Sequence, residues 1–576
     1  MTAETEPTLL NRLGALDKKL VLKLCLIAVV GGILSGHFMV HQFCLPPETA
    51  MRLSEAAMMA DGAKLYVDIL DNATAFYLYL NMIPVLMARL IFIHPIAITN
   101  ILTVAIFMLA GCAITLVQSA GGRRNPLTAS YWSILLAFFG LSVLQLVHFG
   151  QANQIFFLTL CPYVIVRAGT VRALKTEPNL ALAVGLATAL AALIDPLYAL
   201  IVLLLELVIL SSFLPLADKK FIQRRYLGRE LKTFLCAYLA LTALVLLLPT
   251  SSSDQYFNYI LRLNHYNFVE SLQALNFNGC ASDSRPLIYL AAFLLIGVMP
   301  ARQNILVRYF GVVSMLGLGL MLFQGATLYY QTYIFVAGAV MAMAAALPDY
   351  LRRAPIVTTL KLAPPKFSFN RPLLQKYSLL CICGVMLISS LLTYAIEMAL
   401  VPAAHRYDLT RLGYYGLADN RDLAVFSEAV EEYSRVKQPV AILGLGVRPA
   451  YPVITQLRRT PGLSLCWGFP IDTLEILEDP FYAKDMLPLR RFKTEMYATM
   501  AKQLASPDKA PSLLMIDGDE VRRVMEEHGV MKVVDENYGV CGGVSVEDAS
   551  TKDGHPPVEN VGYRSGFTIY RHRKLF

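Results

Sequence analysis

The sequence predicts a polytopic α-helical membrane protein with about eleven transmembrane helices, followed by an α/β domain outside the membrane. The chain has 576 residues, of which 56% are hydrophobic and only 16% are charged, whereas soluble proteins carry about 25% charged residues. Long apolar runs recur up to residue 400, and lysine and arginine concentrate on alternate loops between them. This composition excludes a soluble enzyme, a disordered chain and a nucleic-acid-binding domain, so no nucleic-acid partner is expected.

The predicted spans follow from their length, because a bilayer core about 30 Å thick requires about 20 mostly apolar residues in a helix. The first run is longer than the core of a signal peptide, so we expect a retained span. Another stretch, 75–93, is apolar but contains Pro84 and Arg89. The runs predicted to cross are 21–40, 96–118, 131–148, 153–168, 180–195, 197–214, 233–250, 286–300, 304–323, 327–347 and 376–400.

The loop charges decide the orientation of these spans. With the N-terminus in the cytoplasm, the later basic loops all face the cytoplasm only if 75–93 does not cross. The opposite loops then carry almost no lysine or arginine, as the positive-inside rule requires. We therefore predict one long outer loop over 41–95 with an interfacial helix. Residues 1–400 form the membrane domain in this interpretation, and residues 401–576 form the outer domain.

The predicted outer domain alternates helices with strands, which is typical of a small α/β layer domain. The Gly444-Leu445-Gly446 turn lacks a third glycine, so an ordinary strand-to-helix turn is favoured over a dinucleotide site. The predicted helices are 420–436, 450–459 and 519–528, and the predicted strands are 440–445 and 512–516.

Four cysteines lie outside the predicted spans, in a compartment that permits disulfides. They are Cys44, Cys280, Cys466 and Cys541. Four cysteines allow three pairings, and free thiols fit the sequence equally well.

Charged side chains concentrate at the start of the first outer loop. Pro46 and Pro47 favour the start of a helix, in which Glu48, Arg52 and Glu55 follow at i, i+4 and i+7 and share one face. A carboxylate there can accept a proton or bind a divalent ion, and a guanidinium can pair with a phosphate. An exposed helix with an ordinary ion pair is the alternative interpretation.

Two further acidic residues lie in or beside apolar runs, where charged groups are usually functional or paired. Asp195 precedes Pro196 between two runs. It is either a second acid of a site or the cap of the next helix. Glu206 interrupts a leucine-rich run, so an ion pair and a role in a cavity are both open.

The segment after Arg52 resembles a motif of the GT-C superfamily of membrane glycosyltransferases, which includes protein O-mannosyltransferases and lipid A aminoarabinose transferases. The shared pattern is an acidic residue, a short helix, a glycine and then Tyr-x-Asp. Gly150-Gln151-Ala152-Asn153 and Tyr329-Tyr330 are similar to motifs at the outer ends of spans in that superfamily. The matching segment here is Arg52-Leu-Ser-Glu55-Ala-Ala-Met-Met-Ala-Asp61-Gly62-Ala-Lys-Leu-Tyr66-Val-Asp68-Ile-Leu-Asp71-Asn72.

The resemblance implies transfer of a sugar from a polyprenyl-phosphate donor to a glycan, lipid or protein acceptor at the outer face. It implies that Glu55 or Glu48 is the general base, and the two are not separated by the sequence. Ala73-Thr74-Ala75 replaces the Lys-Pro-Pro of many relatives, so Arg52, Arg262 or Arg285 would have to supply the cation for the donor phosphate. The residues expected to bind donor phosphate or sugar are Arg52, Tyr66, Asp68, Asp71, Gln151, Asn153, Arg262, His265, Tyr329 and Tyr330.

The expected location is a bacterial inner membrane, in contact with membrane lipids and with the C-terminal domain periplasmic or extracellular. A divalent metal, Mg²⁺ or Mn²⁺, is left open, because the acidic first loop offers oxygen ligands without a diagnostic spacing. Two other functions remain as alternatives, a lipid-linked glycan flippase and a membrane scaffold whose outer domain binds partners. A flippase predicts repeated halves and midplane charges, and a scaffold leaves the Glu48, Arg52 and Glu55 row unexplained.

Overall fold

The structure is a computed structural model that describes most of the chain. The described residues are 18–40, 45–119, 126–143, 149–213 except 173 and 175, 226–245, 250–264, 285–323, 332–353, 421–466 except 445, the single residues 468, 471 and 474, 487–544 except 508 and 509, and 566–575.

The described part of the chain before residue 354 consists of helices and of the segments that connect them. A 3₁₀ turn, Pro126–Ser130, precedes α5, and a π-helical turn, Tyr256–Ile260, follows α10. The helices are α1 (Lys18–Val40), α2 (Pro47–Ala60), α3 (Ala75–Ile91), α4 (Pro95–Ser119), α5 (Tyr131–Val143), α6 (Ala152–Val171), α7 (Pro178–Ala192), α8 (Pro196–Phe213), α9 (Arg229–Val245), α10 (Thr250–Gln255), α11 (Arg285–Val298), α12 (Ile305–Phe323) and α13 (Tyr333–Arg353).

Ten of the eleven predicted spans coincide with helices, and the eleventh, 376–400, lies outside the described residues. Four described helices are long and apolar enough to cross a membrane, namely Pro95–Ser119, Ala152–Val171, Ile305–Leu322 and Tyr333–Leu351. Five shorter apolar helices accompany them, and Ala75–Ile91 is one of these. The number of crossings, their orientation and the boundary at residue 400 stay predictions.

Small residues allow neighbouring helices to approach closely, as is usual for helices packed in membranes. A Cβ on Gly338 of α13 would lie 2.6 Å from the backbone nitrogen of Ser314 in α12. A Cβ on Gly185 of α7 would lie 2.3 Å from the backbone oxygen of Glu230 in α9. Helix α6 lies at the centre of the bundle, with almost every residue from Ala152 to Gly169 buried.

A buried ion-pair network joins α6, α8 and α9. The guanidinium of Arg167 donates to Glu206 at 2.6 and 2.7 Å and to Glu230 at 3.0 Å. Tyr163 also donates to Glu206, at 2.9 Å. Every one of these polar groups is satisfied, which is what burial of charge requires. Of the two roles open for Glu206, the structure shows the ion pair.

The C-terminal part forms a five-stranded sheet with helices. The strands are β1 (Pro439–Leu443), β2 (Thr460–Pro461), β3 (Leu513–Asp517), β4 (Tyr538–Val544) and β5 (Phe567–His572), in the order β2-β1-β3-β5-β4. Strands β1, β2 and β3 are parallel, and β5 is antiparallel to both of its neighbours. The helices are α14 (Arg421–Tyr433), α15 (Ala450–Gln456), α16 (Leu487–Leu504), α17 (Asp519–Glu527) and α18 (Val530–Asn537).

All five elements predicted for this domain are confirmed, to within a few residues at their ends. Strand β1 is an apolar run buried on both faces, which is typical of a parallel strand. The sequence did not predict β2, β4, β5, α16 or α18. Strand β4 is Tyr-Gly-Val-Cys-Gly-Gly-Val, and its glycines obscure the pattern of a strand.

Candidate active site

Helix α2 of the first loop positions the candidate site. Pro47 occupies its first turn, where the missing N–H costs nothing. It ends at Asp61, and Gly62 follows with φ of 97°, a conformation that glycine adopts without strain. The residues from Thr49 to Ala56 are all buried. The helix is therefore enclosed on more than one face, and the interpretation as an ordinary exposed helix is wrong.

Arg52 lies at the centre of a cluster of three carboxylates. Its guanidinium is 3.1 Å from Glu55 and 4.0 Å from Glu48, and it forms a close ion pair with Asp71. It also donates to Asn72 Oδ1 at 3.3 Å. The side chains of Glu55 and Asp71 are 0% exposed, whereas that of Glu48 is 28% exposed. The predicted alignment of Glu48, Arg52 and Glu55 is thus confirmed, and Asp71 joins it from the following loop.

The surroundings of Glu55 raise the pKa of its carboxyl group. Burial is the largest cause and, together with the nearby charge of Glu48, outweighs the lowering effects of Arg52 and the Cys466 thiol. The pKa of Glu55 rises to about 7 as a result. Glu55 therefore exchanges its proton near neutral pH.

The segment that follows α2, residues 61–74, connects the cluster around Arg52 to the membrane helices. Tyr66 donates to the carbonyl of Ala73 at 2.7 Å and closes the loop between them. Thr74 donates to the carbonyls of Leu193 and Ile194 at 3.1 and 2.9 Å. The segment is therefore tied to the turn between α7 and α8, which carries Asp195.

Asp195 caps α8, as one of its two predicted roles requires, because its carboxylate accepts from the backbone N–H of Leu197 at 2.9 Å. The charge of Glu48 raises the pKa of Tyr77, for which burial is the largest cause. Glu48 therefore lies near enough to α3 for its charge to act on Tyr77.

The C-terminal domain covers the opposite side of α2. Thr455 in α15 donates to the carbonyl of Ala50 at 2.8 Å, and its hydroxyl lies 2.7 Å from that of Ser54. The backbone N–H of Leu70 donates to the carbonyl of Ser464 at 2.9 Å. The site is thus built from the first loop, the membrane helices and the outer domain together.

The structure brings the Gly150 motif to the same place. Thr49 donates to the carbonyl of Gly150 at 3.4 Å. Gln151 and Asn153 are buried at the start of α6, and Asn153 accepts a short hydrogen bond from Tyr198. Phe156, one turn further on, stacks on Tyr198 with ring centroids 4.4 Å apart.

The other predicted binding residues are placed differently. Asp68 is exposed and accepts from the backbone N–H of Lys64 at 2.8 Å, away from Arg52. Arg262 is exposed in the helical segment after Tyr256–Ile260. Arg285 begins α11. His265, Tyr329 and Tyr330 lie outside the described residues.

Two acidic residues of the first loop lie outside the cluster around Arg52. Asp61 pairs with Arg89 at 2.8 Å, and Asp68 is held by Lys64. Where Glu55 and Asp71 do meet, the guanidinium of Arg52 lies between them. Among the described residues, no group of three or more His, Cys, Asp or Glu side chains could hold a metal ion.

Sequence reasoning missed the contribution of the C-terminal domain. Tyr451 and Cys466 are buried in one hydrophobic cluster with residues of α2 such as Met51. Cys466 and Cys541 are both free thiols, and the other two outer cysteines are outside the described residues. No local signal marks these residues, because a tyrosine and a cysteine near short apolar elements are ordinary core residues.

No family model matches the chain, and no curated protein matches it. Among solved structures, it is similar to ArnT from Cupriavidus metallidurans bound to undecaprenyl phosphate. The identity is 12% and the TM-score 0.47, over 96% of this chain and 98% of that one. It is also similar to the archaeal oligosaccharyltransferase AglB from Archaeoglobus fulgidus in complex with an inhibitory peptide and a dolichol-phosphate. Here the identity is 12% and the TM-score 0.38, over 95% of this chain and 75% of that one.

Similarities with 12% identity and TM-scores below 0.5 do not assign a chemistry to the site, which therefore has to be inferred from its own side chains. They form a carboxylate cluster around one buried arginine, with Glu48 as its open member. Such an arrangement can take a proton from a hydroxyl that approaches Glu48, near the ends of membrane helices.

Proposed function

We propose that this chain is a membrane glycosyltransferase of the GT-C type, in which Glu48 is the general base. The donor is a sugar on a polyprenyl phosphate, as the sequence resemblance implies, and the acceptor is a hydroxyl group at the outer face. The observation that carries the proposal is the carboxylate cluster around Arg52, in which only Glu48 is open to a substrate.

Access separates the two candidate bases that the sequence left open. A general base must come within hydrogen-bond reach of the proton that it removes. The Glu55 side chain is 0% exposed and lies against the C-terminal domain, whereas Glu48 is 28% exposed. In this proposal Glu55 and Asp71 hold Arg52, and Arg52 sets the position and charge of Glu48.

The proposed step conserves atoms and charge. The acceptor hydroxyl gives its proton to Glu48, and its oxygen forms a bond to the anomeric carbon of the donor sugar. The bond between that carbon and the phosphate oxygen breaks, and polyprenyl phosphate leaves with the electron pair. Attack from the face opposite the phosphate inverts the anomeric centre.

A cation for the donor phosphate has to come from outside the cluster, because Arg52 is 5% exposed and is engaged by three carboxylates. Arg262 is exposed, and its segment reaches the first loop at two points. Asn264 donates to the carbonyl of Asn72 at 3.1 Å, and the Tyr256 ring lies 5.0 Å from that of Tyr66. Arg262 is therefore the phosphate-binding residue in this proposal.

The test is the transfer activity of Glu48→Gln, compared with the wild type and with Glu428→Gln, an exposed glutamate of α14. The proteins are reconstituted in liposomes with polyprenyl-phosphate sugars from the producing cells, and lipid donors and products are followed by mass spectrometry. We expect Glu48→Gln to lose on the order of 10²–10⁴-fold in rate, the usual contribution of a general base, and Glu428→Gln to be unaffected.

The same comparison in cells tests the function itself. Deletion of the gene for this protein should cause the lipid donor to accumulate and a glycan to lose one sugar. Glu48→Gln should reproduce both changes. Full activity of Glu48→Gln would show that the base is misassigned. A deletion that changes neither the donor pool nor the glycans would refute the transferase and leave transport or a scaffold.

A further inference from the structure

A cavity lies at the end of the membrane domain that is remote from the carboxylate cluster. It has a volume of about 600 Å³, within the usual range of about 300–1,000 Å³ for sites that bind small molecules. Its walls come from the end of α4, from the start of α7 with the two residues before it, and from the start of α9. The lining residues that matter here are Leu116, Val117, Thr176, Glu177, Leu180 and Arg229.

The cavity is separate from the candidate active site. At the start of α4, a Cβ on Gly150 would lie 3.5 Å from the hydroxyl oxygen of Thr103, and Gly150 accepts a hydrogen bond from Thr49, next to Glu48. Val117 follows Thr103 by 14 residues of the same helix, which corresponds to roughly 20 Å along its axis. A ligand in the cavity would therefore not touch the groups that are proposed to carry out the transfer.

The cavity lies where α4 reaches the surface of the membrane. Helix α4 is one of the four described helices that are long and apolar enough to cross a membrane, and it has 25 residues. This length corresponds to roughly 37 Å, somewhat more than a bilayer core of about 30 Å. The last turn of α4, which carries Leu116 and Val117, is thus at the level of the lipid headgroups. Together with Leu180 these two residues give the cavity an apolar wall.

Two side chains of opposite charge lie at the opening of the cavity. Arg229 is the first residue of α9 and Glu177 is the N-cap of α7, and both are exposed. The Glu177 carboxylate accepts no hydrogen bond from the helix that it precedes. Neither side chain forms an ion pair or a hydrogen bond with another described residue. Both charges are therefore available to a ligand.

A ligand of this cavity has to pair with a cation and an anion while its apolar part covers the apolar wall. A zwitterionic phospholipid meets these demands, because its phosphate is a partner for a guanidinium and its ammonium group is a partner for a carboxylate. An anionic headgroup would place a second negative charge against Glu177, which is unfavourable. A choline headgroup has no N–H to donate to that carboxylate.

We propose that this cavity binds the headgroup of a phosphatidylethanolamine molecule of the surrounding bilayer. The phosphate pairs with Arg229, the ammonium group donates to Glu177, and the upper part of an acyl chain lies against the apolar wall. Because the walls belong to the ends of α4, α7 and α9, the bound lipid holds these three ends together. The inference goes beyond the proposed function and does not depend on transfer activity.

The test is lipid binding to the full-length protein after its own lipids have been removed in detergent. Dissociation constants are measured by native mass spectrometry for phosphatidylethanolamine, phosphatidylcholine and phosphatidylglycerol with identical acyl chains. We expect phosphatidylethanolamine to bind about tenfold more tightly than the other two, and Arg229→Gln to weaken it about tenfold, the size of one hydrogen bond to a charged group. Glu177→Gln should abolish the preference over phosphatidylcholine and strengthen the binding of phosphatidylglycerol. The matched control is Arg302→Gln, an exposed arginine between α11 and α12, which should bind as the wild type does.

Equal dissociation constants for the three lipids would overturn the proposal, and so would tightest binding of phosphatidylglycerol. A preference for phosphatidylethanolamine that survives in Glu177→Gln would overturn it as well. Thermal unfolding provides a second measurement, because a ligand that binds only the folded state raises Tm. Phosphatidylethanolamine should raise the Tm of the wild type and of Arg302→Gln but not that of Arg229→Gln. Without lipid all variants should unfold as the wild type does, and a lower Tm of lipid-free Arg229→Gln and Glu177→Gln would show that these residues serve folding instead.

Discussion

Replacing Glu55 by glutamine is expected to change how the stability of this protein depends on pH. The pKa of Glu55 is raised from 4.5 to about 7 in the folded protein. A group whose pKa is raised by folding stabilises the protein while it is protonated. Its contribution is fully present below pH 4.5, the unfolded value, and is lost as the pH rises through about 7. The wild type should therefore lose stability over this window through Glu55.

The size of the effect follows from the shift. A rise from 4.5 to about 7 is roughly 2.5 pKa units, and each unit corresponds to ~1.4 kcal/mol, so the loss amounts to ~3.5 kcal/mol. Because Glu55 is fully buried, solvent does not screen this contribution. Glutamine has a similar shape and does not titrate, and Arg52 keeps Asp71 and Glu48 as partners. The stability of Glu55→Gln relative to that of the wild type should therefore increase from about pH 5 to a pH above neutral.

The assay is thermal unfolding in detergent, followed by circular dichroism from about pH 5 to about pH 8. One kcal/mol moves Tm by ~2–4 °C in chains of 150–250 residues and by less in longer ones, so the two curves should separate by a few degrees. A difference in Tm that stays constant across this pH range would refute the account of the cluster.

Three further predictions concern the bundle and the donor. Glu206→Ala should lower the free energy of unfolding by ~3–5 kcal/mol, because it removes the main partner of the buried Arg167. The measurements are the yield of monodisperse protein and its Tm, and wild-type values of both would contradict the prediction. Gly185→Ala should lower the Tm, because the added Cβ would lie 2.3 Å from a carbonyl oxygen of α9. The control is Gly311→Ala, whose Cβ would meet nothing within 4 Å and which should leave the Tm unchanged. Equal Tm values for the two variants would refute the close approach of α7 and α9. Arg262→Gln should raise KM for the lipid donor about tenfold with little change in kcat. Both constants are measured in liposomes over a series of donor and salt concentrations, and an unchanged KM would exclude Arg262 from the phosphate site.

The sequence by itself determined most of the membrane-domain helices of this protein. Apolar runs of about 20 residues predict helices, and ten of the eleven predicted spans are helical in the structure. The i, i+4, i+7 spacing placed Glu48, Arg52 and Glu55 on one face, and Pro196 after Asp195 marked the capped start of α8. These features are local, because hydrogen bonding and side-chain direction within one helix depend on residues a few positions apart.

Only the tertiary structure decided how these elements form a site. Asp71 reaches Arg52 across a loop, and Thr455 and Cys466 reach α2 from the other end of the chain. The distinction between an open Glu48 and a buried Glu55 also exists only after the C-terminal domain has packed on α2. The physical reason is that access, burial and proton affinity depend on all the neighbours of a group, and most of those neighbours are distant in sequence.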